Sequence, residues 1–298
     1  MKCISCDSEK FLEYSKESSL NIPVFQCNNC KLIVTGKTKE EVNKAISSIY
    51  SNEFWDKQKK EHGNINDKFT DVISRGKQRD FISQYKFCES FFQNKKSILE
   101  VGSGTGHATY WLDKKGFQVT GIEPDLQNVS SINSKLKNSN IIHCFIDDFT
   151  KTDEYEIIWM SHVFEHLSEP DKFLEKIKKN MSKESIFFIE VPNCEHAPTL
   201  KDSVFRSPHV FHFTKKTIIK LCKKHDFEII SCKIFRPATK VEGIFNKLFK
   251  NITKIVNVIS IVLVGMVILN ITTYGISEIE SYSTIDFELN NNSIELQN

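Results

Sequence analysis

Net charge is what this chain most lacks: 40 Lys and Arg against 38 Asp and Glu leave +2 over 298 residues. A surface so nearly balanced is not built mainly to neutralise a phosphate backbone, which argues against nucleic acid as the partner. A leader pattern is also missing. Met1-Lys2-Cys3 runs straight into a cysteine motif, with no basic, apolar and small-residue succession, so a cytoplasmic location is expected. Tryptophan is scarce, 3 against 23 phenylalanines, and with abundant Lys, Asn, Ile and Ser this reads as the coding bias of an AT-rich genome. The length allows one substantial core and a smaller module.

Cysteine, by contrast, is plentiful at 9, yet the arrangement does not suggest disulfides. Cys3-x2-Cys6 and Cys27-x2-Cys30 stand 20 residues apart, the spacing of a structural zinc site in which two tight turns bring four thiolates into a tetrahedron. Few apolar residues lie among the first 35, so this module is expected to need its metal to fold. Cys88, Cys144, Cys194, Cys222 and Cys232 lie scattered among apolar neighbours and read as small buried hydrophobes.

The most informative stretch is Ile98-Leu99-Glu100-Val101-Gly102-Ser103-Gly104-Thr105-Gly106. An apolar strand ends in an acid and three alternating glycines, and a helical stretch follows from His107. Glycines at such a turn let the backbone approach a ligand closely at a helix N-terminus. A second strand, Gln118 to Ile122, closes on Glu123, 21 residues after Gly102. An acid there is placed to accept hydrogen bonds from both ribose hydroxyls of a nucleoside. A dinucleotide-binding loop needs a third glycine where His107 stands, and here it comes one residue early, at Gly106.

Further strands are expected at 141–146, 156–161, 185–191 and 227–235, alternating with helices, which implies a parallel sheet covered on both faces. Ser168-x-x-Asp171 reads as a capping box opening a helix that ends near Asn180, and Thr214 as the cap of a helix to about His225. Between Thr38 and Asn94 the pattern is helical and rich in charge and aromatics.

The E-x-G-x-G-x-G run resembles the first motif of the class I S-adenosylmethionine-dependent methyltransferases. Ile157 to Leu167, containing Glu165-His166-Leu167, is similar to the fourth motif of their small-molecule branch, and Phe187 to Asn193 to the fifth strand. Across roughly residues 1 to 238 the chain looks most like zinc-ribbon methyltransferases of polysaccharide and sugar modification. That resemblance implies a Rossmann-like doubly wound α/β fold with an N-terminal zinc ribbon. It implies S-adenosylmethionine held by Glu100, Gly102, Gly104, Gly106, Glu123, Asp147, Asp148, Phe149 and Ser161, and structural Zn(II) on Cys3, Cys6, Cys27 and Cys30. Helices ahead of the glycine loop commonly cover the cofactor in this fold, which adds Tyr50, Trp55, Arg75 and Arg79.

Methyl transfer to a hydroxyl needs a proton acceptor, and histidine suits that task near neutral pH. His166, His209 and His212 follow strand carboxyl ends, where ligands bind in open α/β sheets, and stand as the three candidate bases. The expected acceptor is a sugar on a nucleotide sugar or a surface glycan, O-methylated because sugar C-methyltransferases with a similar ribbon carry a large further domain. Two other readings are a zinc-ribbon RNA methyltransferase and a non-catalytic scaffold docking a glycosyltransferase. An Asn/Asp-Pro-Pro-aromatic signature, used by amino-methylating adenine enzymes, is absent after the fourth strand.

The expected organisation is a ribbon at 1–36, a helical cap at 37–95, the cofactor-binding core at 96–240, and a C-terminal segment at 241–298. Residues 255–277 carry no charge and are long enough to span a bilayer, with Lys247, Lys250 and Lys254 before them and an acidic tail after. Spanning, lying on the inner face of the cell membrane, and packing on the core are the three alternatives. Residues 282–288 alternate as a last strand, which favours packing, and 290–298 read as disordered. Glycan-biosynthesis enzymes complete the expected partners.

Overall fold

The computed structural model describes residues 1–50, 75–151, 153–235 and 284–290. Its strands are β1 (Phe11–Ser15), β2 (Val24–Cys27), β3 (Ile33–Thr35), β4 (Ser97–Val101), β5 (Gln118–Glu123), β6 (Asn140–His143), β7 (Tyr155–Ser161), β8 (Met181–Pro192), β9 (Phe211–His212), β10 (Glu228–Phe235) and β11 (Thr284–Asn290). Its helices are α1 (Lys39–Tyr50), α2 (Arg75–Cys88), α3 (His107–Lys114), α4 (Leu126–Asn133), α5 (Pro170–Ile177), α6 (Ala197–Phe205) and α7 (Lys215–Lys224).

Seven strands form the main sheet in the order β10-β11-β8-β7-β4-β5-β6. The inner strands are parallel, and β11 runs antiparallel between β8 and β10. The last strand expected at 282–288 is therefore present, paired in register from Thr284 opposite Pro192 to Asn290 opposite Ile186. Alternation sorts the strand residues onto two faces. Leu99, Ile158, Met160, Phe187 and Ile189 pack with Phe173 and Leu174 of α5 and Ile218 and Leu221 of α7. Ile98, Ile157, Trp159 and Phe188 pack with Cys88 of α2, Phe92 and Leu112 of α3. Both faces are covered, so the central strands are apolar almost throughout, and each such buried side chain contributes ~1.5–3 kcal/mol.

The chain enters at β4, moves out to β5 and β6, then returns to β7 on the other side of β4. The order in which strands are added thus reverses between β4 and β7, the switch point at whose carboxyl ends ligands bind in such sheets.

A second, antiparallel sheet takes the order β1-β2-β3-β9. Its first three strands carry the N-terminal cysteines, and the fourth comes from the body of the protein: Ile33 pairs with His212 and Val34 with Phe211. The Thr35 amide also donates to the Val210 carbonyl at 2.8 Å. Neither β1 nor β9 was expected from the sequence.

Two local expectations need correction. The helix expected to be boxed by Ser168 begins at Pro170, and the residue ahead of it, Glu169, gives no side-chain cap. Proline at the first helical position has no N–H to satisfy, and Glu169 pairs with Lys39 and Lys172. The strand expected to reach 146 stops at His143, and Ile146–Asp148 forms a 3-10 turn. The Thr214 cap is present, with Thr217 closing it reciprocally. Residues 255–277 and 291–298 lie outside the described residues, and among those described no helix is long and apolar enough to cross a membrane.

Candidate active site

The glycine loop leaves β4 and is tied at once to β5, as the Gly102 and Ser103 amides both donate to the Ile122 carbonyl at 2.9 and 3.1 Å. Gly102 has φ +75°, and a Cβ there would lie 2.4 Å from Val163 Cγ2. Gly104 has φ +52°, and a Cβ there would meet nothing within 4 Å. The loop is thus packed from below at Gly102 and open at Gly104, where a ligand can reach the backbone. Gly106 caps α3 in a left-handed conformation.

Glu123, buried at the end of β5, accepts from the Gly104 amide at 2.7 Å and the Asp125 amide at 3.0 Å. Burial raises its carboxyl, and these two amides work against the rise. Glu100 is buried beneath the loop and accepts from the Thr109 hydroxyl of α3. Burial pushes its carboxyl up to about 7, with the charge of Glu123 adding to the shift. It reaches the loop only through α3.

Asp147 and Asp148 stand exposed on the 3-10 turn, whose carbonyls at Ile146 and Asp147 accept from Lys176 Nζ at 3.0 and 2.7 Å. Phe149 is corrected from a ligand contact to a core residue, since it is buried with Ile158 and Phe164. The open ring next to the two acids is Phe145, 60 % exposed. Ser161, at the end of β7, accepts from Gln84 Nε2 at 2.9 Å. Sequence reading missed Gln84, although an amide on the face of α2 shared by Phe81 and Cys88 was a signal. The side chains of Tyr50, Trp55, Arg75 and Arg79 lie outside those described.

The three expected histidines have unlike surroundings. His212 is fully enclosed, with Nδ1 at 2.7 Å from Ser203 Oγ and Nε2 at 2.9 Å from Thr35 Oγ1. Burial holds it neutral, down at about 3, and both ring nitrogens are engaged, so it is corrected from candidate base to structural link. Ser203 also meets His209 Nδ1 at 2.8 Å, and burial lowers His209 to about 4. His166 donates from Nδ1 to the Pro208 carbonyl at 3.0 Å, and its ring stands edge-on to His209 at 4.6 Å. That bond fixes the tautomer and leaves the Nε2 lone pair free.

A fourth histidine, missed in the sequence, completes the group. His162 follows β7 in a left-handed conformation, φ +54°, its side chain 46 % exposed. Its Nε2 lies 2.9 Å from Glu190 Oε1 and its Nδ1 3.4 Å from Glu165 Oε1. Burial opposes its charge, but the two carboxylates prevail and raise it to about 10. Glu165 is only 1 % exposed, and despite burial the surrounding histidines bring it down to about 2. His162 and Val163 follow β7, and Val163 packs against Gly102, so the histidine group and the glycine loop leave adjacent strands at the same end of the sheet.

The four N-terminal cysteines also converge. Cys3 and Cys30 Sγ are 3.4 Å apart, Cys6 and Cys27 Sγ 3.5 Å, and all four lie within 4.8 Å of one another. Each pair sits on the same turn: Asp7 N–H donates to the Cys3 carbonyl and Lys31 N–H to the Cys27 carbonyl, at 2.9 and 3.1 Å. Both donors have positive φ, 60° and 67°. A tetrahedral ion with four sulfurs at ~2.3 Å would set them ~3.8 Å apart, so these residues fit Zn(II).

A doubly wound sheet with a glycine loop and a ribose-directed acid at its switch point is the architecture of class I methyltransferases. The Methyltransferase domain family model matches residues 47–232, more than half of the chain, and the chain belongs to that family. An uncharacterized methyltransferase of Alkaliphilus oremlandii (strain OhILAs) is 33 % identical over 86 residues, 28 % of this chain and 40 % of that protein. The (S)-coclaurine N-methyltransferase of Thalictrum flavum subsp. glaucum is 26 % identical over 112 residues, 35 % of this chain and 31 % of that protein. The matches thus span less than half the length of these curated relatives. Among solved structures, the 1,6-didemethyltoxoflavin-N1-methyltransferase of Burkholderia thailandensis superposes with a TM-score of 0.53 at 9 % identity, covering 88 % of this chain and 97 % of that one. This last likeness is one of fold.

Proposed function

We propose that the chain is an S-adenosylmethionine-dependent methyltransferase that O-methylates a sugar, on a nucleotide sugar or a surface glycan. The observation that carries the cofactor half is the loop left open at Gly104 beside the buried carboxylate of Glu123. S-adenosylmethionine, when bound, supplies a methyl carbon activated by its sulfonium. The chain's part is to bind and align: Glu123 takes the ribose hydroxyls, Asp147 or Asp148 the adenine amine, and Gly104 admits the amino acid end. As the acceptor oxygen bonds to the methyl carbon and the carbon–sulfur bond breaks, the hydroxyl proton must leave. His166 offers the Nε2 lone pair for it, while His162, paired with Glu190 and Glu165, holds the loop after β7 in place.

In this reading Cys3, Cys6, Cys27 and Cys30 hold a structural Zn(II). Glycan-biosynthesis enzymes are the partners this reading implies. The sugar rests on the joint occurrence of the cysteine module and this core. An amine acceptor is the second reading, favoured by the sequence match to an N-methyltransferase.

Labelled methyl transfer from S-adenosylmethionine to host extract, separated into nucleotide-sugar, glycan-lipid, small-amine and RNA fractions, tests the proposal. Label in a sugar fraction supports it. Label among the amines selects the second reading, and label in RNA overturns both. Cofactor binding with no transfer anywhere points to a scaffold.

A further inference from the structure

Glu165 poses a problem of charge accounting. Its carboxyl group is buried, and among the described residues neither oxygen has a hydrogen-bond partner of good geometry. His162 Nδ1 at 3.4 Å and His209 Nε2 at 3.8 Å approach Oε1 without completing one. His162 answers its charge at Oε1, but Oε2 has no partner among the described residues, and leaving a buried polar atom so is costly.

What else surrounds it is two imidazoles. Glu165, His166 and His209 each offer one donor atom, and the three atoms lie within 4.8 Å of one another. On both rings the other nitrogen is already engaged: His166 Nδ1 with the Pro208 carbonyl at 3.0 Å, His209 Nδ1 with the Ser203 hydroxyl at 2.8 Å. Such outer partners orient histidines that ligate metals through the opposite nitrogen.

We propose that Glu165, His166 and His209 bind a divalent first-row transition-metal ion, distinct from the one fitted by the four cysteines. Two imidazoles and a carboxylate suit iron, cobalt, nickel or zinc more than magnesium or calcium. Three protein donors leave positions for water or an acceptor oxygen. The inference concerns the acceptor side of the proposed reaction, where such an ion would lower the pKa of a bound hydroxyl in place of His166. The ion's binding itself depends only on these residues.

The site has a second consequence. With a metal on His209 Nε2, its proton must sit on Nδ1 and be donated to Ser203 Oγ. Ser203 then donates to His212 Nδ1, and His212 donates from Nε2 to Thr35 Oγ1. Without the ion, the same heavy-atom contacts also permit the opposite direction, with the His212 proton on Nδ1. Binding therefore fixes the proton of a buried ring, His212, that touches no ligand.

The test uses the full chain with its cysteine site filled by zinc, titrated with Co(II). The expected result is one added equivalent of cobalt, lacking thiolate-to-metal charge transfer and shifting imidazole N–H resonances. Glu165→Gln and His209→Ala should lose that equivalent, and Ser203→Ala should weaken it by ~10- to 100-fold. Saturating Co(II) that adds nothing, or an equivalent that survives in both ligand variants, overturns the proposal. Should the variants fail to fold, the wild-type chain decides. Nitrogen-15 shifts of His212 should place its proton on Nε2 once Zn(II) is bound, and a proton on Nδ1 in that state overturns the proposal. Because no methyl transfer is read, the result stands apart from that of the extract assay.

Discussion

Gly102 and Gly104 have similar positive φ but opposite surroundings, and this separates packing from binding. Alanine at either position pays the left-handed strain of about 1–2 kcal/mol. Gly102→Ala must also displace Val163, for a total of roughly 2–4 kcal/mol, visible as a lowered melting temperature. Gly104→Ala should cost only the strain, yet weaken S-adenosylhomocysteine binding by more than about tenfold, because its methyl occupies the open side. Calorimetry beside thermal melts distinguishes the two. Glu100 gives a pH test. Its carboxyl, ordinarily at 4.5, is raised to about 7 in the fold, so the native state holds a proton that the unfolded chain releases. The stability it contributes is complete below pH 4.5 and is lost as pH rises through about 7, in total about 3 kcal/mol. Denaturant melts of wild type minus Glu100→Gln should show that slope between pH 5 and 7, and parallel curves would refute the buried neutral acid. The loop and Glu123 were legible because a glycine loop and a strand-end acid are local patterns. His162 was not, since its importance comes from Glu190 on a different strand and from a backbone turn that the sequence does not advertise.

Elements were legible in proportion to how local their causes are. The central strands are buried on both faces, so Ile157 to Met160 and Ile186 to Ile189 read directly as apolar runs. The Thr214 cap was legible because its partner, Thr217, lies three residues away. The Ser168 expectation used the same logic and failed, since Pro170 starts the helix and Glu169 turns to Lys39 instead. The two sites make a contrasting pair. Thr214→Ala should destabilise the protein by about 1 kcal/mol, whereas Ser168→Ala should stay within about 0.5 kcal/mol, both by chemical denaturation. Equal effects would show that Ser168 caps α5 after all. The β1 and β9 strands were illegible for another reason. β1 is largely exposed and β9 has two residues, so both owe their form to the partner strand and not to their own composition.

At the scale of the whole molecule, one topological switch places two chemistries at the same end of the sheet. The glycine loop and Glu123 follow β4 and β5, and Glu165, His166 and His162 follow β7. The cysteine module is joined to the second group through β9, with Thr35 bonded to His212 and Ser203 linking His212 to His209. Reading residues 1–36 alone could not show this, because the link depends on a strand some 175 positions away in sequence. The parallel sheet and its last strand, by contrast, were legible in the strand–helix alternation and in the alternating residues at 282–288. The account's central claim is that the loop and Glu123 form a site for a methylated nucleoside cofactor. Isothermal titration of the chain with S-adenosylhomocysteine, beside Glu123→Ala, tests it most directly. Loss of two charge-assisted bonds to ribose predicts one-to-one binding weakened by about 30-fold or more in the variant. No binding to the wild-type chain, or equal affinity in both, would contradict the claim.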